Sequence, residues 1–419
     1  MALVIDPTDR IFDREAEAPD DWGARQDALA REAVRIAWEG TREGRARLER
    51  SGLDPDRFAG VSDLKSVEVL SKDALPELQA QDPPFGGMLA VPLGSLKRVY
   101  QSPGPIMDPE GQGADFWRMA PAAWAAGFRA GDVVLNTLSY HLTPGGHMLD
   151  AGLRHLGCVV IPGGVGNTED QLRMAVAAGA TGYVGTPQFL RTILERARQE
   201  GVAHSIERAL VTGAPLPEAL RTELQEAFGV DVYQAYGTAD AGTLGYECSE
   251  KEGWHIAPGV VIEILEPGSR HPVDAGNPGE VVVTSPNPTY PLVRFGTGDL
   301  SAFHELPCRC ARTSPRLVGF LGRVGEGVKV KGMFVHPRQL ATTLASDPTV
   351  GRFQGVVSAE NHHDTLTVRV EPASGAVPDP DALQERLQAV VKLRLAVEVV
   401  SPGTIGEAEG VLVDRRGQS

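Results

Sequence analysis

Hydrophobic and polar positions follow three successive patterns along this chain. In the first, "WGARQDALAREAVRIAWEGTREGRARLERSGL" sets Trp22, Leu29, Val34, Ile36, Ala37 and Leu48 on an amphipathic, helical spacing that stops at Gly52. The first hundred residues are expected to be mainly helical. From about residue 130, short β-branched runs alternate with helical ones. "GDVVLNTLSY" and "GCVVIPGG" read as strands, the second followed by the helical "EDQLRMAVAAG". "TGYVGTP" precedes the helical "QFLRTILERARQEG", and "RALVTG" precedes a helix from Pro217 to Phe228 closed by Gly229. Proline in the first turn and glycine just past the last are ordinary helix boundaries. "DVYQAYG" is the next strand. Such alternation predicts a mostly parallel sheet covered on both faces, with ligands at the carboxyl ends of its strands.

The third pattern, from about 254 to 305, is β-rich: "VVIEILEP", "GEVVVTSP" and "YPLVRFGTGDLSAF". After the glycines of "GRVGEG", the strands "GVVSAE", "TLTVRVEP" and "AVEVVSP" surround the helical "PDALQERLQAVVKLRL". The fold class expected is α/β: a large N-terminal domain over 1–321, with a β-rich subdomain at about 245–321, and a small mobile α+β domain over 322–419. No internal repeat is present.

Composition narrows the function. With 419 residues, two or more domains are expected. The formal net charge of −15, without a basic run, argues against nucleic acid or an anionic membrane as partner. No apolar stretch approaches the roughly 20 residues of a membrane span. The start, "MALVIDPTDRIFDREAEAPDD", lacks the pattern of a signal peptide, and four cysteines suit a reducing compartment, so a cytoplasmic location is expected.

Candidate chemistry lies in five ordered motifs. They are "GAPLPEALR" (213–221), "YQAYGTADAG" (233–242), "PLVRFGTGDL" (291–300), "GRVGEGVKVKGMFVHP" (322–337) and "VEVVSPGTIGEAEG" (397–410). Together with "NTLSYHLTPGGHMLDAGLRHLGCVVIPGGVGN" and "GTPQFL", these resemble the adenylate-forming superfamily, in its phenylacetate-CoA ligase branch. The resemblance implies a two-step reaction on an aryl or other small carboxylic acid. Mg-ATP converts the acid to an acyl-adenylate, and CoA thiol then displaces AMP after the small domain rotates. It implies that Asp299 accepts hydrogen bonds from the ribose hydroxyls. Gly213, Ala214 and Pro215 would form a turn against the base, and Tyr236, beside Gly237 and Thr238, would stack on it. Arg323 would supply a cation near ribose or phosphate, Asp240 a Mg²⁺-binding carboxylate, and Gly332 a turn into the moving domain. Tyr140, His141, Gly145, Gly146 and His147 would line the acid pocket.

The phosphate side departs from this pattern. In "RVYQSPGPIMDPEG" (98–111), Ser102 and Gly104 remain of the nucleotide loop, while Pro103, Pro105 and Pro109 remove N–H donors. Asp108 and Glu110 add negative charge there. Ala239 lacks a hydroxyl, the junction acid is replaced by glycine or shifted within Gly325-Glu326-Gly327, and Val411 stands where the family has a lysine, with Arg415 and Arg416 beyond it. Three functions therefore stay open: a CoA ligase, a homologue that binds nucleotide or CoA without adenylating, and an adenylating enzyme with a non-CoA acceptor. A homodimer is compatible with each.

Cys248, His255, Cys308 and Cys310 lie in turn-rich segments bracketing the β-rich region. Three thiolates and one imidazole are the donor set of a tetrahedral structural zinc, and the resemblance supports that assignment. The alternative is free thiols and a surface histidine. Cys158, in the apolar "GCVVIP", reads as a core residue.

Overall fold

The protein is described from a computed structural model at residues 19–102, 104–310, 312–325, 327–330, 333–360, 363–406 and 410–416. Pro103, Glu326, Lys331, Gly332, Glu407, Ala408 and Glu409 of the motifs above lie outside the described residues. The chain divides into two compact units. One runs to Thr297 and takes in Ala302–Gly319; the second comprises Gly298–Ser301 and the residues from Phe320 onward.

The first unit opens with helix Pro19–Gly40, whose face of Ala30, Ala33, Val34 and Ala37 is fully buried with Leu48, Phe58, Leu64 and Val67 against Val261 and Val293. Thr41 ends it and caps the next helix, Arg42–Arg50, its hydroxyl accepting from Gly44 N at 3.1 Å. Beyond Arg50 the expected helical texture gives way to short 3-10 turns and the helix Leu75–Gln81. The prolines at 55, 76, 83, 84 and 92 explain the difference, since each lacks a donor and disfavours helix in the residue before it.

An eight-stranded sheet forms the centre of this unit. Its order is Arg316–Leu317, Trp254–Ile256, Gly242–Tyr246, Asp231–Thr238, Arg208–Val211, Gly182–Gly185, Val133–Asn136, Val159–Pro162. The last five strands pair in parallel, and the first three pair antiparallel from Asp231–Thr238 outward. Helices Thr168–Ala177, Pro187–Glu200 and Glu218–Glu226 bury Leu172, Leu190, Ile193, Leu194 and Leu224 on Leu135, Tyr183, Ala209, Val211 and Val232. The α/β alternation read from the sequence is therefore present, and the carboxyl ends of these strands carry the motif loops.

A second sheet sets Leu70–Ser71, Leu292–Ser301, Gly279–Ser285 and Val261–Leu265 side by side. Arg294, within "PLVRFG", is wholly buried there at φ 47°. Its guanidinium donates to Glu263 (Nη2 to Oε1, 2.6 Å) and to the Val67 carbonyl (3.0 Å). The second unit carries a four-stranded sheet in the order Ala396–Val399, His363–Pro372, Val350–Glu360, Leu412–Asp414. Leu340, Leu344, Leu383 and Leu387 of its helices Pro337–Ala345 and Pro380–Val391 close its core on Val357, Leu366 and Val368. No helix among the described residues is long and apolar enough to cross a membrane.

Candidate active site and metal cluster

Two of the motifs expected to hold a nucleoside sit at the carboxyl ends of two adjacent parallel strands. Gly213, Ala214 and Pro215 follow Arg208–Val211, with the Pro215 carbonyl accepting from Gln188 Nε2 at 3.0 Å. Tyr236 and Gly237 lie on Asp231–Thr238, where the pairing with Gly242–Tyr246 slips by a bulge. Glycine is required at 237: a Cβ would meet the Gly242 carbonyl oxygen at 2.7 Å. Tyr236 is buried, stacked on Trp254 with centroids 5.1 Å apart at 17°, and its hydroxyl lies 3.4 Å from Thr297 Oγ1. One ring face is thus already covered by Trp254. Thr238 Oγ1 accepts from Ala241 N at 3.1 Å, fixing the turn that presents Asp240. Asp299 and Arg323 belong to the second unit. They are paired across antiparallel strands, with Arg323 Nε 3.4 Å from Asp299 Oδ1 and the arginine half exposed.

The segment expected as a phosphate loop is a tight hairpin. Strands Arg98–Ser102 and Ile106–Glu110 pair in register, Tyr100 opposite Asp108, leaving a turn that includes Gly104 at φ 115°. Ser102 is buried, its Oγ 3.5 Å from the Ile106 carbonyl oxygen. The two acids of the hairpin point inward and have different neighbours. Glu110 accepts from Tyr100 Oη (2.7 Å) and Arg98 Nη1 (2.9 Å), with Lys97 Nζ at 3.4 Å. Asp108, 1% exposed, faces Asp240. Burial, then the charge of Asp240, pushes its carboxyl up to about 7, against the lowering influence of Ser102 and Lys72. Lys72 donates to Asp240 Oδ2 at 2.6 Å, and the Asp240 carboxylate is fully buried. Sequence reasoning missed Lys72. It stands in "LSKDALPEL", 168 positions from its partner and outside any motif quoted above.

Among the candidate acid-pocket residues, Tyr140 and His147 are brought together in an edge-on ring contact (4.9 Å), with Tyr100 on another side of His147 (5.4 Å). The Tyr140 hydroxyl accepts from Asn136 Nδ2 at 2.8 Å, and burial raises the proton affinity of that phenol. Burial, then Arg98, lowers the His147 pKa, which keeps the ring neutral near pH 7. Gly146 is buried where a Cβ would strike the Ser139 carbonyl and the Tyr140 ring. His141 is not drawn into this group; it is exposed on the loop, its backbone N–H donating to Ser139 Oγ. Gly145 opens helix Gly145–His155.

Cys248, His255, Cys308 and Cys310 converge, with all four donor atoms within 4.8 Å of one another. Cys248 Sγ lies 3.6 Å from Cys308 Sγ, and Cys310 Sγ lies 3.3 Å from His255 Nε2. Zinc–sulfur bonds of about 2.3 Å at tetrahedral angles span sulfur pairs roughly 3.8 Å apart, so the donors fit a zinc ion. His255 is centred on strand Trp254–Ile256 and wholly buried, and burial pushes its pKa down to about 4. Its Nδ1 lies 3.0 Å from the Ser314 carbonyl oxygen, which accepts the ring N–H and leaves the Nε2 lone pair facing the thiols. Burial pushes the Cys248 thiol up to about 12. The neighbouring Glu247 is clamped by the Arg221 guanidinium (2.6 and 3.1 Å) and by Gln234 N (2.7 Å). Arg309, between two of the cysteines, pairs with Glu250 and Glu252. Cys158 is buried apart from the cluster, as expected of a core residue.

Comparison with known proteins matches this architecture to one family. The model of the AMP-binding enzymes covers residues 113–290, and that of the AMP-binding enzyme C-terminal domain covers 332–416. The chain belongs to the adenylate-forming AMP-binding enzymes, in their phenylacetate-CoA ligase-like branch. It is 29% identical over 425 residues to the phenylacetate-coenzyme A ligase of Thermus thermophilus, covering 92% of this chain and 94% of that protein. It is 29% identical over 436 residues to the phenylacetate-coenzyme A ligase of Aromatoleum evansii, covering 96% of both. Among solved structures, an open conformation of 2-hydroxyisobutyryl-CoA ligase in complex with 2-HIB-AMP and CoA superimposes with a TM-score of 0.87. It shares 23% identity and covers 99% of this chain and 96% of that one, a likeness of fold.

Proposed function

We propose that the protein is an ATP-dependent acid–thiol ligase that joins a small, aryl-sized carboxylic acid to CoA through an acyl-adenylate. In the first step a carboxylate oxygen attacks the α-phosphorus of Mg-ATP and pyrophosphate leaves. In the second the CoA thiolate attacks the acyl carbon and AMP leaves. The observation that carries this reading is the pair of adjacent parallel strands ending in the Gly213–Pro215 turn and the bulged Tyr236–Gly237. It is supported by phenylacetate-CoA ligases that align over more than nine-tenths of the chain. In this reading the bulge, Thr238 and the 213–215 turn hold the base, Asp299 the ribose hydroxyls, and Arg323 an adjoining oxygen. Ser102 and Gly104 border the phosphates, and Asp240 attracts Mg²⁺. Tyr140, Gly146 and His147 bound the acid, with His141 at the pocket's rim. The four-donor cluster holds a structural zinc that fixes the strand carrying Trp254. The chain turns on the junction near 322, between a large domain over 1–321 and a small one over 322–419.

The hairpin at 98–110 and the Lys72–Asp240 pair favour a second reading, in which nucleoside or CoA binds without adenylation. Calorimetry with Mg-ATP, AMP and CoA in separate runs, followed by acid-dependent pyrophosphate exchange across aromatic acids, separates the two. Mg-ATP binding with exchange supports the ligase. AMP or CoA binding without Mg-ATP binding or exchange removes it.

A further inference from the structure

Two carboxylates and one ammonium meet below the hairpin, and their formal charges sum to −1. Asp108 is 1% exposed, with the Ser102 hydroxyl and the Asp240 carboxyl beside it and no donor in full hydrogen-bond geometry on either oxygen; Asp240 Oδ1 is likewise buried and lacks one. Three buried carboxylate oxygens therefore lie close to the Lys72 ammonium, which is 2.6 Å from Asp240 Oδ2. Burying an anion without a hydrogen bond or a counter-ion is costly, so below about pH 7 Asp108 keeps a proton, and above it the arrangement calls for further positive charge. Lys72 keeps 17% of its side chain exposed and sits on a short turn, Lys72–Ala74, next to solvent, so its flexible stem can withdraw. Hard carboxylate oxygens are the donors that Mg²⁺ and Mn²⁺ select.

We propose that Asp108 and Asp240 form a divalent-cation site that fills without nucleotide, and that the Lys72 ammonium is the resident it displaces. Asp108 is the added ligand. It comes from the hairpin itself, on the strand that follows the turn where the family carries its phosphate loop. The metal would thus be held by protein oxygens on two elements, with Lys72 setting its affinity by competition. The inference does not rest on the ligase reading, because its test contains neither acid nor nucleotide.

The test is Mn²⁺ binding to the full chain at pH 8, followed by electron paramagnetic resonance of free Mn²⁺. The thiolate cluster disfavours this hard ion. The expected result is one Mn²⁺ per chain in Lys72→Met, at least about tenfold weaker binding in the unmodified protein, and loss in Lys72→Met/Asp108→Asn. As an independent measurement, saturating Mn²⁺ should raise the melting temperature of Lys72→Met and leave that of the double variant unmoved. Lys72→Asn with Asp240→Asn, which spares the hairpin, should also bind no Mn²⁺. Absence of binding in Lys72→Met, equal affinity in Lys72→Met and the unmodified protein, or binding that survives the loss of Asp108 would each overturn the proposal.

Discussion

Asp108 offers a perturbation whose sign is fixed by its surroundings. Its carboxyl is raised from an ordinary 3.8 to about 7, by burial first and by Asp240 second, with Lys72 and Ser102 acting in the opposite direction. Tyr290, also packed near the pair, stays a neutral phenol because burial and both carboxylates push its pKa up. Between about pH 4 and pH 7 the folded chain holds a proton that the unfolded chain has released. Stability therefore falls as pH rises through that window and levels off above it. Three pKa units at about 1.4 kcal/mol each set a ceiling of roughly 4 kcal/mol, and a net effect of a few kcal/mol is expected after sharing with Lys72. Asp108→Asn keeps the shape and cannot ionise, so it removes the penalty. Melting curves of the two proteins, in buffer free of added divalent cation, should differ modestly at pH 5, where about one pKa unit of the window has been crossed and the gap is well under half of its full size. At pH 8 the variant should melt several degrees higher. An equal gap at both pH values, or a larger one at pH 5, would refute the reasoning.

Other outcomes follow from the same geometry. Arg221→Ala or Glu247→Ala leaves one buried charge unpaired and should cost about 3–5 kcal/mol, read by chemical denaturation. Metal analysis should find about one zinc per chain, and His255→Ala or Cys310→Ser should lower both that ratio and the melting temperature. Asp299→Ala removes the carboxylate proposed to accept from the two ribose hydroxyls. At about 1.5–3 kcal/mol per charge-assisted hydrogen bond, it should weaken AMP binding by at least tenfold in calorimetry. Arg323→Met should cost less than about tenfold, since its partly exposed pairing with Asp299 is screened.

What the sequence made legible had short-range causes. The strands Gly182–Gly185 and Arg208–Val211 announce themselves as compact apolar runs between helices of period 3.6. The cysteine and histidine cluster is readable because those residue types are few in this chain and their chemistry narrow. Lys72 and Asp108 were opaque for the opposite reason. A lysine in a polar stretch and an aspartate between prolines have ordinary surface identities, and only tertiary contact turns them into a buried pair with Asp240. Arg294 shows the same limit: nothing local marks an arginine in "PLVRFG" as wholly buried in a left-handed conformation. His141 and His147, six positions apart, read alike as sequence. One lies on an exposed loop and the other between two tyrosine rings, because the turn into helix Gly145–His155 sends them to different sides.

Trp254 adjoins His255 in sequence while its indole lies flat on Tyr236. The thiol cluster and the aromatic platform are therefore two ends of one short lever. Intrinsic fluorescence gives that lever an optical output. With the other four of the five tryptophans replaced by phenylalanine, chelation or thiol oxidation at one end and the proposed arrival of a purine ring at the other should both change the emission of this one indole, so a single spectrum would follow the chemical health of the cluster and the occupancy of the platform.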